Sequence, residues 1–416
     1  MHRLYLIVIT MLTAASAAYA NDWPQFLGPS RTGTVEDAKF KGKLGSLKEM
    51  WTINLGSGFG GAVTSNGEAF VLDRNDDDND IIKCIDIASG KVKWENKYKK
   101  QGRFGYPGSR SIPAVDDKFV FTIGSIGDVV CTDRKTGKTV WQKDLQKDYG
   151  SKPENWGFGQ SPLLYGDTVI FAPLTSKGVV ALNKATGKTV WESEEIGNRD
   201  GYASPLLTKF LNQEMIIQQA SDEVAGLDPK TGKKIWGWKG YSVKWSIPAP
   251  VVVDQNTLFI TGGYGAGSVM IKVTKSGSSY NVKEEFRLKK TGSQIHAPIY
   301  HEGHIFANFN ENDNLKKRSD KQGLTCIDLK GNTKWKTGEE PSLNRGSVIL
   351  INDYLLALDG DTGELILSKA NSSSYKEIER KKVLEGKGKN IWSPICYSGG
   401  LLIVRDQNQM KCLKVY

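Results

Sequence analysis

Apolar residues in this chain fall in short runs separated by turn-forming glycine, asparagine and aspartate, a pattern that predicts strands joined by hairpins. The clearest instance is residues 181–191, Ala-Leu-Asn-Lys-Ala-Thr-Gly-Lys-Thr-Val-Trp. Asn183 is placed to accept from the backbone two residues on, Gly187 is free to take positive φ and close the turn, and Trp191 starts the strand that follows. The same phrase returns at residues 84–94, 131–141 and 226–236, with a shortened copy at 326–335. Its tryptophans, Trp94, Trp141, Trp191 and Trp236, stand roughly 45 to 50 residues apart, the period of a four-stranded propeller blade. Between Trp236 and Trp335 there is room for one more copy, in which Phe286 takes the tryptophan position after a longer hairpin.

The repeat assigns the blades. Blade one is expected over residues 62–98. Blades two, three and four open at Ser111, Ser161 and Ala203, each with a proline (Pro113, Pro162, Pro205) ahead of a short strand, and blades five and six open at Pro248 and Pro298. Residues 357–367 imitate the repeat phrase with Leu367 at the tryptophan position, but treating them as third and fourth strands leaves too little chain after Gly346 for the first two. The better division makes 354–360 and 364–370 the second and third strands of blade seven and 376–384 its fourth. Blade eight begins at Ser393 and Pro394 and reaches its third strand at residues 412–416. The fourth is expected from the other end of the chain, because residues 50–55, Met-Trp-Thr-Ile-Asn-Leu, have the tryptophan-led character of the other fourth strands. Joining the first and last strands in one blade closes the ring and removes an open edge. The expected fold is therefore all-β, an eight-bladed β-propeller of four-stranded antiparallel blades closed by an N-terminal strand, over residues 48–416.

The phrase small-x-Asp-x-x-Thr-Gly-x-x-x-Trp resembles the repeat of the pyrroloquinoline-quinone-like (PQQ-like) propeller family, which comprises quinoprotein dehydrogenases and cofactor-free relatives. The resemblance covers nearly the whole mature chain. It implies that each tryptophan packs on the neighbouring blade beside the small first residue of the phrase, here Cys84, Cys131, Ala181 or Gly226. Residues 21–33, Asn-Asp-Trp-Pro-Gln-Phe-Leu-Gly-Pro-Ser-Arg-Thr-Gly, resemble the opening of secreted members, with Leu27 where arginine is usual. They read as a leader held on the propeller by Trp23 and Phe26, the alternative being a specific ligand contact. Such a resemblance implies a fold, whereas chemistry has to be argued from a site.

Residues 1–20 carry His2 and Arg3, an apolar core over 4–12 and the small-x-small ending Ala18-Tyr19-Ala20, the pattern of a secretory signal cleaved near Ala20. The expected destination is the periplasm or the exterior. Residues 21–47 would form the leader, with 39–48 as a polar linker. No later stretch is apolar for long enough to span a bilayer. The formal net charge of +10 over 416 residues favours solubility and loose attraction to anionic surfaces without specifying one. Lacking a basic helix or an RNA-binding motif, the chain has no claim to nucleic acid. A monomer is expected.

Several chemistries find no support in the residues. The acidic run 73–80 imitates a calcium loop through Asp73, Asn75 and Asp77, but Asp78 stands where glycine is required and Cys84 where the bidentate glutamate belongs. A phosphate loop fails because Leu182 and Thr132 occupy the required glycine position ahead of Lys188-Thr189 and Lys138-Thr139. There is no His-Glu-x-x-His and no Gly-x-Ser-x-Gly. His301 and His304 flank a turn and read as surface residues. No metal ligand and no catalytic residue is assigned. Cys84, Cys131, Cys326 and Cys412 hold one repeat position in four blades, and Cys396 would lie two strands from Cys412, so all five are expected as free thiols.

Chemistry, if present, should lie where the segments linking successive blades reach one mouth of the central channel. Those segments carry Tyr106 and Arg110, Trp156 and Phe158, Arg199 and Tyr202, Lys244 and Trp245, Gln294 and His296, Arg345, and Lys389 and Trp392. The candidate ligand-binding set is Arg110, Trp156, Arg199, Trp245, His296, Arg345 and Trp392, with the arginines expected to stand exposed. A ring of cations and aromatic faces suits an anionic, planar or sugar-like ligand, or a protein partner docking at the mouth. The competing structural role is that the aromatics wedge between blades while the charges sit in water.

Two function classes follow. One is a non-catalytic exported propeller that binds or scaffolds and needs no cofactor. The other, implied by the resemblance, is a PQQ-dependent alcohol or polyol dehydrogenase, with the quinone and a calcium ion at the channel mouth beside an aspartate base. The family's enzymes pair two adjacent cysteines over the quinone and have a longer chain. This sequence has no adjacent cysteines.

Overall fold

The computed structural model describes residues 22–197, 201–309, 322–386 and 390–416. The expected signal segment 1–20 lies outside the described residues, as do Arg199 and Lys389. Eight sheets, each built on four antiparallel strands ordered from the channel axis outward, follow one another around the ring and form an eight-bladed β-propeller. Blade one shows the pattern. A short inner strand, Val63–Ser65, is followed by Glu68–Arg74 and Asn79–Asp86, which are apolar on both faces because a neighbouring blade covers each side. The outer strand, Val92–Lys99, alternates half-buried and exposed positions. Among the described residues the single helix is Leu145–Tyr149, capped by Asp144, which accepts from the backbone of Gln146 and Lys147.

The ring closes through the N-terminal strand Lys48–Asn54, which pairs antiparallel with Gln409–Lys414 and places Trp51 opposite Cys412. In blade seven the inner strand is Val348–Ile351, and Tyr354–Leu358, Glu364–Lys369 and Glu377–Lys382 follow in the division expected from the sequence.

The repeat phrase owes its shape to hydrogen bonding and to space. Asp133 accepts from Thr136 N at 2.7 Å, and Asn183 from Thr186 N at 3.0 Å, so the turn carries its own polar partner. The indole N–H of the previous blade's tryptophan donates to the carbonyl just after that Asp or Asn: Trp51 to Ile87, Trp94 to Arg134 and Trp141 to Lys184, each at 2.8 Å, and Trp191 to Pro229 at 3.1 Å. The indole lies over the turn glycine. At Gly187, which has φ of 66°, a Cβ atom would come within 2.8 Å of the Trp141 ring. Phe286 covers Gly331 in the same manner. Trp236 departs from the scheme. Its N–H points to Met215 Sδ of its own blade at 3.1 Å, because blade five presents the long hairpin Gly267–Ser276 and Ser279–Leu288 in place of a Thr-Gly turn.

The leader is built into the propeller. Trp23 bridges to Thr64 of blade one, Pro24 O accepts from Val115 of blade two, and Arg31 donates to Pro162 O of blade three at 2.9 Å. Thr34–Val35 then adds a fifth, parallel strand inside blade seven. Residues 39–48 are not the polar linker expected: Phe40, Leu44 and Leu47 are buried in the core shared with blades seven and eight. The leader is fixed by Asp37, whose carboxylate accepts from Tyr397 at 2.6 Å and Tyr416 at 2.5 Å. All five cysteines are buried and unpaired. Cys396 stands opposite Ile403, which stands opposite Cys412, so a whole strand separates the two thiols.

Candidate functional site

Because each repeat returns to the axis through an equivalent linking segment, all eight blades contribute to one set of residues about the channel mouth. Phe59 precedes blade one, Tyr106 and Arg110 blade two, Trp156 blade three and Tyr202 blade four. Ile247 precedes blade five, Gln294 and His296 blade six, Arg345 blade seven and Trp392 blade eight. They line a cavity of about 160 Å³. Phe26 of the leader also lines it, and Arg31 donates toward Ser161 O at 3.4 Å, so the leader walls the cavity from its own side.

The walls form two aromatic groups. In one, Phe59 stacks on Trp392 with centroids 5.1 Å apart, and Tyr106 lies 5.5 Å from Trp392. In the other, Trp156 packs at 4.7 Å on Trp245 and at 6.0 Å on both Tyr202 and Tyr264. Each of the two described arginines lies against the first group. Arg110 sits 5.4 Å from the Phe59 centroid and Arg345 4.3 Å from that of Trp392, within cation–π range. Arg110 also donates to the carbonyls of Tyr106 and Gly108. Arg345 Nε donates to Gln294 at 3.0 Å, and Gln294 donates in turn to the Tyr264 hydroxyl at 2.8 Å. This chain ties the arginine wall to the tryptophan wall.

The electrostatics are one-sided. No aspartate or glutamate is among the described residues lining the cavity. Burial lowers the Arg110 guanidinium to about 10 and shifts Arg345 in the same direction, because withdrawal from water disfavours the charged form. At pH 7 both remain charged. His296 is recessed in the wall, and burial pushes it down to about 4 even though the Arg345 carbonyl lies 3.1 Å from Nε2, so its imidazole is neutral.

The structure thus brings Arg110, Trp156, His296, Arg345 and Trp392 to one cavity. Trp245 stands behind Trp156 as support instead of lining the space, and Phe158 belongs to the core between blades two and three. The arginines are half-buried and stacked, not exposed as expected, because the neighbouring aromatics and carbonyls enclose their planar heads. Phe59 and Tyr264 were not found from the sequence. Phe59 occupies the linking position ahead of blade one, within Gly-Phe-Gly-Gly, and the repeat argument reaches it when extended to the first blade. Tyr264 comes from a turn between second and third strands, where no such rule applies.

Comparison with known proteins bears on this arrangement. The family model described as outer membrane protein assembly factor BamB matches residues 77–337, more than half of the chain. The chain belongs to this PQQ-like β-propeller family. Among curated PQQ-like relatives, the quinoprotein alcohol dehydrogenase PedH of Pseudomonas putida is 30% identical over 177 residues, 40% of this chain, and the match spans 29% of that enzyme's length. Among solved PQQ-like propellers, BamB from Moraxella catarrhalis superposes with a TM-score of 0.59 at 16% identity, covering 88% of this chain and 97% of that one. The quinohemoprotein alcohol dehydrogenase of Comamonas testosteroni superposes with a TM-score of 0.64 at 13% identity, covering 96% and 81%. At these identities the structural likeness establishes the fold alone.

The described lining of the cavity does not fit the quinone–calcium pair that the sequence resemblance implies. Calcium takes six or more oxygen ligands, with carboxylates prominent. The described lining supplies guanidinium, indole, phenol and imidazole groups and no carboxylate to hold the ion or to act as the base.

Proposed function

We propose that this protein is an exported, non-catalytic binding propeller whose channel-mouth cavity takes an anionic, planar or sugar-like ligand, either free or as part of a protein partner. The observation that carries the reading is the pairing of Arg110 and Arg345 with aromatic faces in a cavity whose described lining has no acid. Guanidinium groups give a carboxylate or phosphate charge-assisted hydrogen bonds, and Trp156, Trp392 and Phe59 offer flat surfaces for a ring. Low-dielectric walls strengthen the attraction. The family's assembly-factor description supports a protein partner, and export rests on the pattern of residues 1–20. Among the described residues, no helix is long and apolar enough to cross a membrane.

Titration of tryptophan fluorescence with aromatic and sugar carboxylates, in the presence of EDTA, tests the reading. Binding is expected for the carboxylates and reduced at least about tenfold in an Arg110→Gln, Arg345→Gln double variant, since each charge-assisted contact contributes roughly 1.5–3 kcal/mol. The dehydrogenase reading has its own support in the 30% identity over 177 residues. It predicts turnover of an alcohol when pyrroloquinoline quinone, calcium and an artificial electron acceptor are supplied, and such turnover would replace the binding assignment.

A further inference from the structure

Size, wall chemistry and hydrogen-bonding capacity together narrow what the channel-mouth cavity can hold. Its volume is about 160 Å³. A dry protein cavity of about 150 Å³ holds a benzene ring, so the space suits a single six-membered ring. The walls are aromatic on two sides. Phe59, Tyr106 and Trp392 come from blades one, two and eight, whereas Trp156, Tyr202 and Tyr264 come from blades three, four and five. Such faces attract another aromatic ring beyond what its buried area supplies, and a saturated ring of equal size gains none of that increment.

The polar capacity of the lining is weighted toward donors. Tyr202 Oη accepts from Trp156 N at 3.1 Å, Tyr264 Oη from Gln294 at 2.8 Å, Ser161 Oγ from Ile112 N at 2.9 Å and Ser204 Oγ from Ser161 N at 2.8 Å. Gln294 Oε1 accepts from Arg345 Nε at 3.0 Å. With these acceptors engaged, hydroxyl O–H and guanidinium N–H groups remain to meet a ligand. Arg110 donates to Tyr106 O and Gly108 O, fewer bonds than a guanidinium can give. A carboxylate only accepts, and takes such donors directly. Each hydroxyl of a sugar brings a donor of its own, and a buried donor left without an acceptor costs free energy.

Resting on the reading of this cavity as an anion site, we propose that its ligand is a free monocyclic aromatic carboxylate, its ring between the two aromatic groups and its charge toward Arg110 and Arg345. Both arginines lie against the Phe59–Trp392 group, from blades two and seven, so the negative end of the ligand is drawn to that wall. A sugar acid would meet the arginines without the stacking. A fused-ring anion would exceed the space.

The test is isothermal titration calorimetry of the native protein in EDTA with benzoate and four relatives. Cyclohexanecarboxylate removes the aromatic face, benzamide removes the charge, glucuronate replaces the flat face by hydroxyls, and 2-naphthoate adds a second ring. Benzoate is expected to bind one per protein, about tenfold or more tighter than each relative, and to be lost from the Arg110→Gln, Arg345→Gln variant. Glucuronate or cyclohexanecarboxylate binding as tightly as benzoate would overturn the aromatic assignment while leaving the anion site standing. Equal affinity for 2-naphthoate would overturn the single ring. Equal affinity for benzamide, or benzoate retained by the double variant, would overturn the role given to the arginines and the proposal with it. Failure of every anion to bind would overturn both the proposal and the reading on which it rests. The ligand comparisons use the native protein and decide the matter even if the variant does not fold.

Discussion

Replacing Trp51 by alanine removes the clasp between the last blade and the first. Its ring is 7% exposed, packs over Gly90, where an added Cβ would come within 2.5 Å, and donates to Ile87 O at 2.8 Å. Truncating a buried tryptophan costs about 3–5 kcal/mol, and the lost hydrogen bond about 1 kcal/mol, part of which is already counted in the first figure. A net loss of about 4 kcal/mol is expected. With an m-value of about 3 kcal/mol/M or more, the urea midpoint should fall by roughly 1 M. The assay is equilibrium urea unfolding followed by far-ultraviolet circular dichroism, with Val190→Ala as the control. Val190 lies on an outer strand at 53% exposure, and its truncation should stay within about 0.5 kcal/mol. A Trp51→Ala loss below about 1 kcal/mol, or no larger than that of the control, would refute the argument that the N-terminal strand bears the closing contact.

Burial pushes the thiols of Cys84, Cys326 and Cys412 up to about 12, so thiol reagent should find almost none in the native protein and five after denaturation; a count of three or one in denaturant would mean a disulfide. His296, held neutral at about 4 against an ordinary 6.5, binds its proton more readily unfolded, so its contribution to stability is present above pH 6.5 and is lost as pH falls toward 4. His296→Gln should flatten the acid slope of the melting temperature in that window, and an unchanged slope would contradict the burial argument. Burial opposes ionisation of Asp37, but hydrogen bonds from Tyr397 and Tyr416 hold its carboxyl below the usual range. Combining Tyr397→Phe with Tyr416→Phe removes two bonds to a charged acceptor, each worth roughly 1.5–3 kcal/mol, and should speed tryptic cleavage at Lys39 about tenfold or more. Equal cleavage rates would show that other contacts fix the leader.

Much of the fold was legible because the repeat phrase states both halves of a contact, the turn and the aromatic that covers it. Residues 181–191 suffice to place two strands, and the recurrence places the blades. Where the phrase is altered, as at Phe286 and Leu367, spacing still assigned the strands. The geometry of Trp236 was not legible, since it depends on what the next blade presents. The site was legible in part. Arg110, Trp156, His296, Arg345 and Trp392 follow from the rule that linking segments reach the axis, whereas the buried state of the arginines depends on Phe59 and Tyr264, whose approach only tertiary packing reveals. The leader looked like a linker over residues 39–48 because Phe40, Leu44 and Leu47 are isolated among polar residues and show no strand or helix period.

The central claim, that the channel-mouth cavity is a binding site for an anion, is tested most directly by native mass spectrometry of the protein purified from its own host, beside the Arg110→Gln, Arg345→Gln variant. The account predicts a retained anionic species on the native protein that is released on denaturation and missing from the variant. Retention of the same species by the variant would contradict it.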